Sequence, residues 1–96
     1  MKTLSNLMCS LESVDRKQAV KTGGVDVQFA LINDDSEDVR EAIAIYGNND
    51  HRWLLIDDFD PFVRKAVAEH GTEKMRQILS SDPHSMVRRA ASASRP

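Results

Sequence analysis

Residues 39–46 read Val39-Arg-Glu-Ala-Ile-Ala-Ile-Tyr46, and this stretch decides the fold. Apolar side chains stand at positions 39, 42, 43 and 46, the i, i+3, i+4, i+7 spacing that lines one face of an α-helix. The same offsets 24 and 48 residues later give Val63, Ala66, Val67 and His70, and then Val87, Ala90, Ala91 and Ser94. The stretch therefore predicts a helix with one buried face that is present in several copies.

The 24-residue period extends over the whole 96-residue chain. Unlike residue types return in one register: Leu7, Leu31, Leu55 and Leu79; Arg16, Arg40, Arg64 and Arg88; Gly23, Gly47 and Gly71; Asp34, Asp58 and Asp82; Val39, Val63 and Val87; Ala42, Ala66 and Ala90. A fixed period of this size is typical of repeat architectures, in which each unit buries its apolar face against the next. We predict a single all-α domain over 1–96, a short solenoid of four helical-hairpin repeats at about 1–23, 24–47, 48–71 and 72–96.

Each repeat is expected to contain a short first helix and a clearer second helix. First helices are predicted at about 3–11, 26–33, 50–57 and 73–80, and second helices at 39–46, 63–70 and 87–94. The predicted buried faces of the first helices contain Val27, Ala30, Leu31, Leu54, Leu55, Met75, Ile78 and Leu79. Asp60-Pro61 and Asp82-Pro83 predict a capping carboxylate before a proline at the first helical position. Gly23, Gly47 and Gly71 fit the left-handed position that ends many helices.

Composition indicates an ordinary globular protein, with 41% hydrophobic and 29% charged residues. No apolar run approaches the roughly 20 residues that cross a bilayer, and the first residues do not resemble a signal peptide. Cys9 is the single cysteine, so no internal disulfide is possible. We expect a cytoplasmic protein that binds no membrane.

The net charge of −2 is distributed unevenly along the chain. Residues 26–60 carry ten acidic and two basic side chains, whereas residues 61–96 carry seven basic and three acidic ones. In an elongated molecule this pattern gives an acidic middle and a basic C-terminal end. Solvated helix faces explain the same pattern without any partner.

Two segments carry a resemblance to known repeats. Asp60-Pro-Phe-Val-Arg-Lys-Ala-Val-Ala68 and Ser80-Ser-Asp-Pro-His-Ser-Met-Val-Arg-Arg-Ala-Ala91 resemble the aspartate–proline and valine–arginine–alanine signature of HEAT-like repeats. The 24-residue period, with Thr72-Glu-Lys-Met-Arg-Gln-Ile-Leu79, is similar to the variant leucine-rich repeat (LRV). The resemblance covers nearly the whole chain and is weakest in the first repeat, where Asp15 and Gln18 replace apolar residues.

The resemblance implies a right-handed superhelix of short helices that recognises macromolecules. It also implies that the arginines at 16, 40, 64 and 88 bridge to the aspartates at 34, 58 and 82 instead of binding phosphates. One variant-repeat protein carries an iron–sulfur cluster on an added cysteine-rich segment, which the single cysteine here does not reproduce. We expect no cofactor.

Trp53 is the first candidate for contact with a partner. It shares its column with Phe29, and Arg52 and Arg76 occupy the neighbouring column. Aromatic residues and arginine are enriched in interface hot spots, although a lone tryptophan in a small domain also serves as core. A second candidate surface is the outward column Lys17, Glu41, Lys65 and Arg89.

Catalytic and metal-binding patterns are not visible. The acidic segments 34–38 and 57–60 lack the spacing of a calcium loop, and His51, His70 and His84 lack ligand spacing. We therefore predict a non-catalytic protein that binds no metal.

The favoured hypothesis for the function is a protein-binding module, adaptor-like or inhibitor-like, that is a monomer or weak homodimer. The alternative is nucleic-acid binding through a basic end with Lys65, Lys74, Arg88 and Arg89.

Overall fold

The computed structural model describes residues 12–93, and every regular element in that range is an α-helix. The helices are α1 (Ser13–Thr22), α2 (Gly24–Ala30), α3 (Glu37–Tyr46), α4 (Asn49–Leu55), α5 (Pro61–His70), α6 (Glu73–Leu79) and α7 (Ser85–Ser92). The prediction of an all-helical protein is confirmed. The first helix expected at about 3–11 lies outside the described residues.

Long and short helices alternate, and the long helices form one row. Helix α1 packs on α3, α3 on α5, and α5 on α7. The short helices fill the other side, because α2 packs on α1, α4 contacts α3 and α5, and α6 contacts α5 and α7. The molecule is elongated, with principal extents of 47 × 22 × 18 Å. Most contacts therefore join helices that are close in sequence.

The core lies between this row and the short helices. Val39, Val63 and Val87 are fully buried, as the 24-residue pattern predicts. Ala42 and Ala66 are also buried, and their small side chains allow neighbouring long helices to approach closely. The short helices complete the core with Leu31, Leu55 and Leu79.

The buried face of the short helices differs from the predicted one. Ala30, Leu54 and Ile78, which were expected in the core, are exposed. Each buried leucine instead shares its face with the residue four positions earlier, because i and i+4 lie together on a helix. Those partners are Val27, His51 and Met75. The residue just before each leucine points about 100° away, towards solvent.

His51 is only 1% exposed and organises the turn before α4. Its Nδ1 accepts the backbone N–H of Asn48 at 3.0 Å, and its own backbone N–H donates to Oδ1 of Asn48 at 3.0 Å. In the next hairpin the backbone N–H of Thr72 approaches Sδ of Met75 at 3.4 Å. Both side chains therefore close a helix N-terminus, which is a structural task.

The three repeated glycines are not left-handed, and that prediction is wrong. Gly23, Gly47 and Gly71 have φ between −80° and −89°. They are required by crowding instead: a Cβ on Gly71 would lie 2.6 Å from the carbonyl oxygen of Val67, and one on Gly47 would lie 2.5 Å from that of Ile43. Among the described residues only Gly24 has a positive φ, of 79°.

The two aspartate–proline pairs behave differently. Asp60 caps α5 as predicted, since its Oδ1 accepts the backbone N–H groups of Phe62 and Val63, with Pro61 at the first turn. Asp82 does not cap α7, and that prediction is wrong. Helix α7 starts at Ser85, and the residue that caps it is His84, whose Nδ1 accepts the backbone N–H of Met86 at 3.1 Å.

Val63→Asp is expected to lower the free energy of unfolding by about 3 kcal/mol or more, because it places an unpaired carboxylate in the core. In a domain of this size that corresponds to a fall in Tm of roughly 12 °C or more, measured by far-UV circular dichroism. Val14→Asp is the matched control, since Val14 is 67% exposed in the first turn of α1. Equal melting of the two variants would contradict the assigned core.

Candidate functional site

Arginines from the long helices pair with aspartates that lie 18 residues later in sequence. Nε donates to Oδ2 at 2.8, 2.8 and 2.7 Å in the successive pairs, and Nη2 donates to Oδ1 at 3.1, 3.3 and 3.2 Å. The pairs are Arg16–Asp34, Arg40–Asp58 and Arg64–Asp82. Each pair is bidentate, so it fixes the orientation of the guanidinium plane as well as the position of its charge.

Arg40, Arg64 and Arg88 also bind back to the aspartate turn that precedes each of them. Nη1 of Arg40 donates to the carbonyl oxygen of Asp34 at 2.6 Å, and Arg64 binds that of Asp58 in the same way. Arg88 donates to the carbonyl of Asp82 at 2.8 Å. Arginine and aspartate therefore alternate in one continuous chain of bonds, which we call the Arg–Asp ladder.

Further contacts hold the aspartates of the ladder in place. Oδ1 of Asp34, Asp58 and Asp82 each accepts the backbone N–H two residues later at 2.9 Å. Burial raises the pKa of Asp82, but hydrogen bonds from Arg64 and from the backbone of His84 outweigh it, so the pKa lies below its ordinary value. The ionised form of Asp82 is thus the one that the fold stabilises.

Gln28, Arg52 and Arg76, which share a column, bind the ends of the long helices. Nε2 of Gln28 donates to the carbonyl of Val20 at 3.0 Å. Nε of Arg52 donates to the carbonyl of Ala44 at 2.7 Å, and Nη1 of Arg76 donates to that of Gly71 at 2.9 Å. Donors at a helix C-terminus satisfy carbonyls that have no partner within the helix. The predicted partner contacts of Arg52 and Arg76 stay a prediction, and both guanidinium groups already have this structural role.

Large apolar side chains are exposed on each of the three short helices. Phe29 is 59% exposed, Trp53 40%, Leu54 57% and Ile78 49%. They occupy two adjacent columns of the 24-residue pattern, and we call these four residues the short-helix face. Trp53 is therefore neither a buried core residue nor fully solvated. Leu54 and Ile78 were missed as surface residues, although their place just before the buried leucines could have revealed them.

A groove of about 360 Å³ adjoins the short-helix face at Ile78. Its other apolar lining residues are Ile56, Phe59, Leu79 and Pro83, and Asp57 also lines it. The Phe59 ring lies 4.8 Å from the guanidinium carbon of Arg40, so it stacks on the ladder while remaining largely exposed.

The basic residues of the alternative hypothesis lie on three helices. Lys65 on α5 approaches Glu69 at 3.5 Å, Lys74 lies on α6, and Arg88 and Arg89 lie on α7. Nη1 of Arg88 is engaged with backbone carbonyls of the preceding turn.

Acidic side chains gather on the long helices instead. Glu37, Asp38, Glu41 and Asp60 line one groove together with Phe62. Burial and the neighbouring Asp38 raise the pKa of Glu41, and Lys17 and Lys65 oppose this effect. Within residues 12–93 no group of three or more histidine, cysteine, aspartate or glutamate side chains is arranged to hold a metal ion.

Comparisons with protein-family models, curated proteins and solved structures found no match to this chain. In the described part of the chain, none of the helices has the length and apolarity needed to cross a bilayer.

Arg40→Lys is expected to lower the free energy of unfolding by about 3 kcal/mol, because a lysine cannot reach the Asp58 carboxylate and the Asp34 carbonyl together. Urea denaturation measures the loss. Arg88→Lys is the control, since Arg88 forms only carbonyl contacts among the described residues. A loss at Arg88 as large as that at Arg40 would show that the paired carboxylate is unimportant.

Stability is expected to depend on the ionisation of Asp82. Because its pKa is depressed in the folded state, the stabilisation is fully present above the ordinary pKa near 4 and is lost as pH falls through the lower folded value. The difference in Tm between wild type and Asp82→Asn should therefore be largest above about pH 5 and shrink in acid. Asp57→Asn, outside the ladder, is the control. A difference that stays constant down to acidic pH would refute this role.

Proposed function

We propose that the chain is a short right-handed solenoid of four 24-residue helical hairpins, of the HEAT-like or variant leucine-rich type. The alternation of long and short helices supports this proposal. The constant 18-residue separation of the three ion pairs supports it as well, because it repeats one inter-unit contact. In such an array each unit contacts mainly its neighbours, which leaves a long surface for recognition.

The function that the geometry favours is non-catalytic binding of a protein partner through the short-helix face. The observation that carries the proposal is the exposure of Phe29 and Trp53 in one column of the 24-residue pattern, and of Leu54 and Ile78 in the next column, on three successive short helices. Apolar side chains that recur along one face form a patch, and such patches on soluble proteins mark interaction sites. Aromatic side chains at its centre are typical anchors of protein interfaces.

The hydrogen bonds of the buried polar side chains support a structural role for these residues and not a catalytic one. Between residues 12 and 93 the buried polar residues are Gln28, Arg40, His51 and Asp82, and each is engaged in a hydrogen bond that closes a turn or a helix end. A catalytic base or nucleophile needs free access to a substrate. None of these four groups points to such a role.

Nucleic-acid binding is the less favoured alternative. Lys74, Arg88 and Arg89 are its main cationic groups, and the acidic residues of 26–60 oppose a phosphate track along the molecule. A gel shift at low salt that weakens steeply with added salt would favour this alternative over protein binding.

The double variant Trp53→Ala/Leu54→Ala is expected to lose the bound partner while retaining the fold, because neither side chain belongs to the buried core: Trp53 is 40% and Leu54 57% exposed. The measurement is affinity capture from an extract of the native cells, followed by quantitative mass spectrometry. Removing two central apolar anchors typically weakens an interface by about 2 kcal/mol or more, roughly 30-fold.

Val14→Ala provides the matched control, since it removes an exposed apolar side chain from a long helix. Proteins captured by wild type and Val14→Ala but lost from the double variant support the proposal. Identical capture by all three proteins would contradict it. Circular dichroism melts of each variant separate lost binding from lost folding.

A further inference from the structure

Unpaired carboxylates border the short-helix face on α2 and α4. Asp26 lies three residues before Phe29, and Asp50 lies three residues before Trp53, so each carboxylate shares a helix side with its aromatic neighbour. Both aspartates are exposed, and the salt bridges formed among residues 12–93 do not include them. Each aromatic side chain is thus accompanied by a negative charge that forms no salt bridge within residues 12–93.

The other border of the face is acidic near the groove. Asp57 is exposed, belongs to none of the ion pairs in the described range, and lines the groove with Phe59 and Ile78. Lys74 occupies the column of Asp26 and Asp50 on α6, so the negative border ends there. The face is therefore apolar along its centre and negative beside α2 and α4.

The spacing of the hairpins suits a helical ligand. The long helices of consecutive hairpins pack on one another, and packed helices lie about 8–10 Å apart, so the hairpins repeat at about that distance. Seven residues of an α-helix rise about 10.5 Å. A helix that lies across α2, α4 and α6 therefore presents one apolar residue to each of them when its apolar residues recur every seven positions.

We propose that the short-helix face receives a basic amphipathic helix of another protein. Its apolar residues contact Phe29, Trp53, Leu54 and Ile78, and its lysine or arginine residues pair with Asp26, Asp50 and Asp57. This partner class rests on the protein-binding function proposed above. A two-fold dimer of this chain through the same face is disfavoured, because it would bring two acidic borders together.

A designed peptide tests the proposal directly. The probe has about three heptads, with leucine at every seventh position, lysines beside the leucines and no tryptophan. Trp53 is the only tryptophan of the protein, so a blue shift of its emission reports burial of the face. One control peptide has the same composition with the leucines dispersed around the helix, and another has glutamate in place of lysine.

Three variants resolve the contributions. Asp26→Asn/Asp50→Asn should weaken binding about tenfold at low salt and flatten its salt dependence, because the charge pairing is screened by ions. Leu54→Gln/Ile78→Gln should weaken binding by about tenfold or more at every salt concentration. Lys74→Asp extends the negative border over α6 and should strengthen binding of the lysine peptide several-fold.

Glu37→Gln/Asp38→Asn is the charge-matched control, since it removes two carboxylates from a long helix, and its affinity should stay within about twofold of wild type. Circular dichroism melts confirm the fold of every variant.

Several outcomes overturn the proposal: no saturable shift with the lysine peptide, equal binding of the glutamate peptide, or unchanged binding by both double variants of the face. Sedimentation that shows self-association lost in Leu54→Gln/Ile78→Gln would assign the face to a second copy. Oligonucleotide binding that Lys74→Asp abolishes would assign it to nucleic acid. If cellular capture depends on Trp53 and Leu54 but the peptide does not bind, the partner class is wrong and the protein-binding function stands. If capture does not depend on these residues and the peptide does not bind either, both the protein-binding function and the partner class are wrong.

Discussion

The arrangement of the helices depends on arginines that each bind two aspartate turns at once. Arg40 reaches the Asp58 carboxylate in one direction and the Asp34 carbonyl in the other, and Arg64 repeats the same geometry one hairpin later. Moving such a pair out of water is costly, and only complete hydrogen bonding offsets the cost. The turns on both sides must therefore occupy fixed positions, and the packing of the long helices follows from them.

The structure separates internal from external charge. Inside, arginines and aspartates satisfy one another, and Gln28 and Arg52 satisfy carbonyls at helix ends. Outside, the aspartates beside the short-helix face form no salt bridge with any residue that the structure describes, and the apolar side chains between them are partly or largely exposed. The polar groups that build the fold are thus largely distinct from those free to meet a partner. Only the second set is available for recognition.

The 24-residue pattern predicted the long helices well, because a ten-residue helix shows its buried stripe over nearly three turns. The short helices were harder. Seven residues make about two turns, so Leu54 and Leu55 look equally suited to the core, and only packing against α3 and α5 decides between them. His51 was unpredictable for a related reason: a histidine in a core column acquires its place from Asn48, which supplies the matching donor and acceptor.

The glycines and the start of α7 illustrate a second limit. A repeated glycine predicts an unusual requirement at that point in the chain, but a pattern of letters does not distinguish a positive φ from a lack of room for a Cβ. Gly47 and Gly71 belong to the second kind, because a helix carbonyl lies where the side chain would begin. At His84 an imidazole replaces the expected carboxylate as acceptor, a choice that depends on where Asp82 is already bound.

The serial character of the Arg–Asp ladder also bears on how such a chain changes in evolution. Each bond joins a turn only to the turn before or after it, so duplication of a 24-residue segment would add one arginine–aspartate pair without breaking an existing one. Deletion of 24 residues between Arg40 and Asp82 would likewise leave an arginine 18 residues before an aspartate. The 24-residue period of the sequence thus allows the length of the ladder to change while its chemistry stays the same.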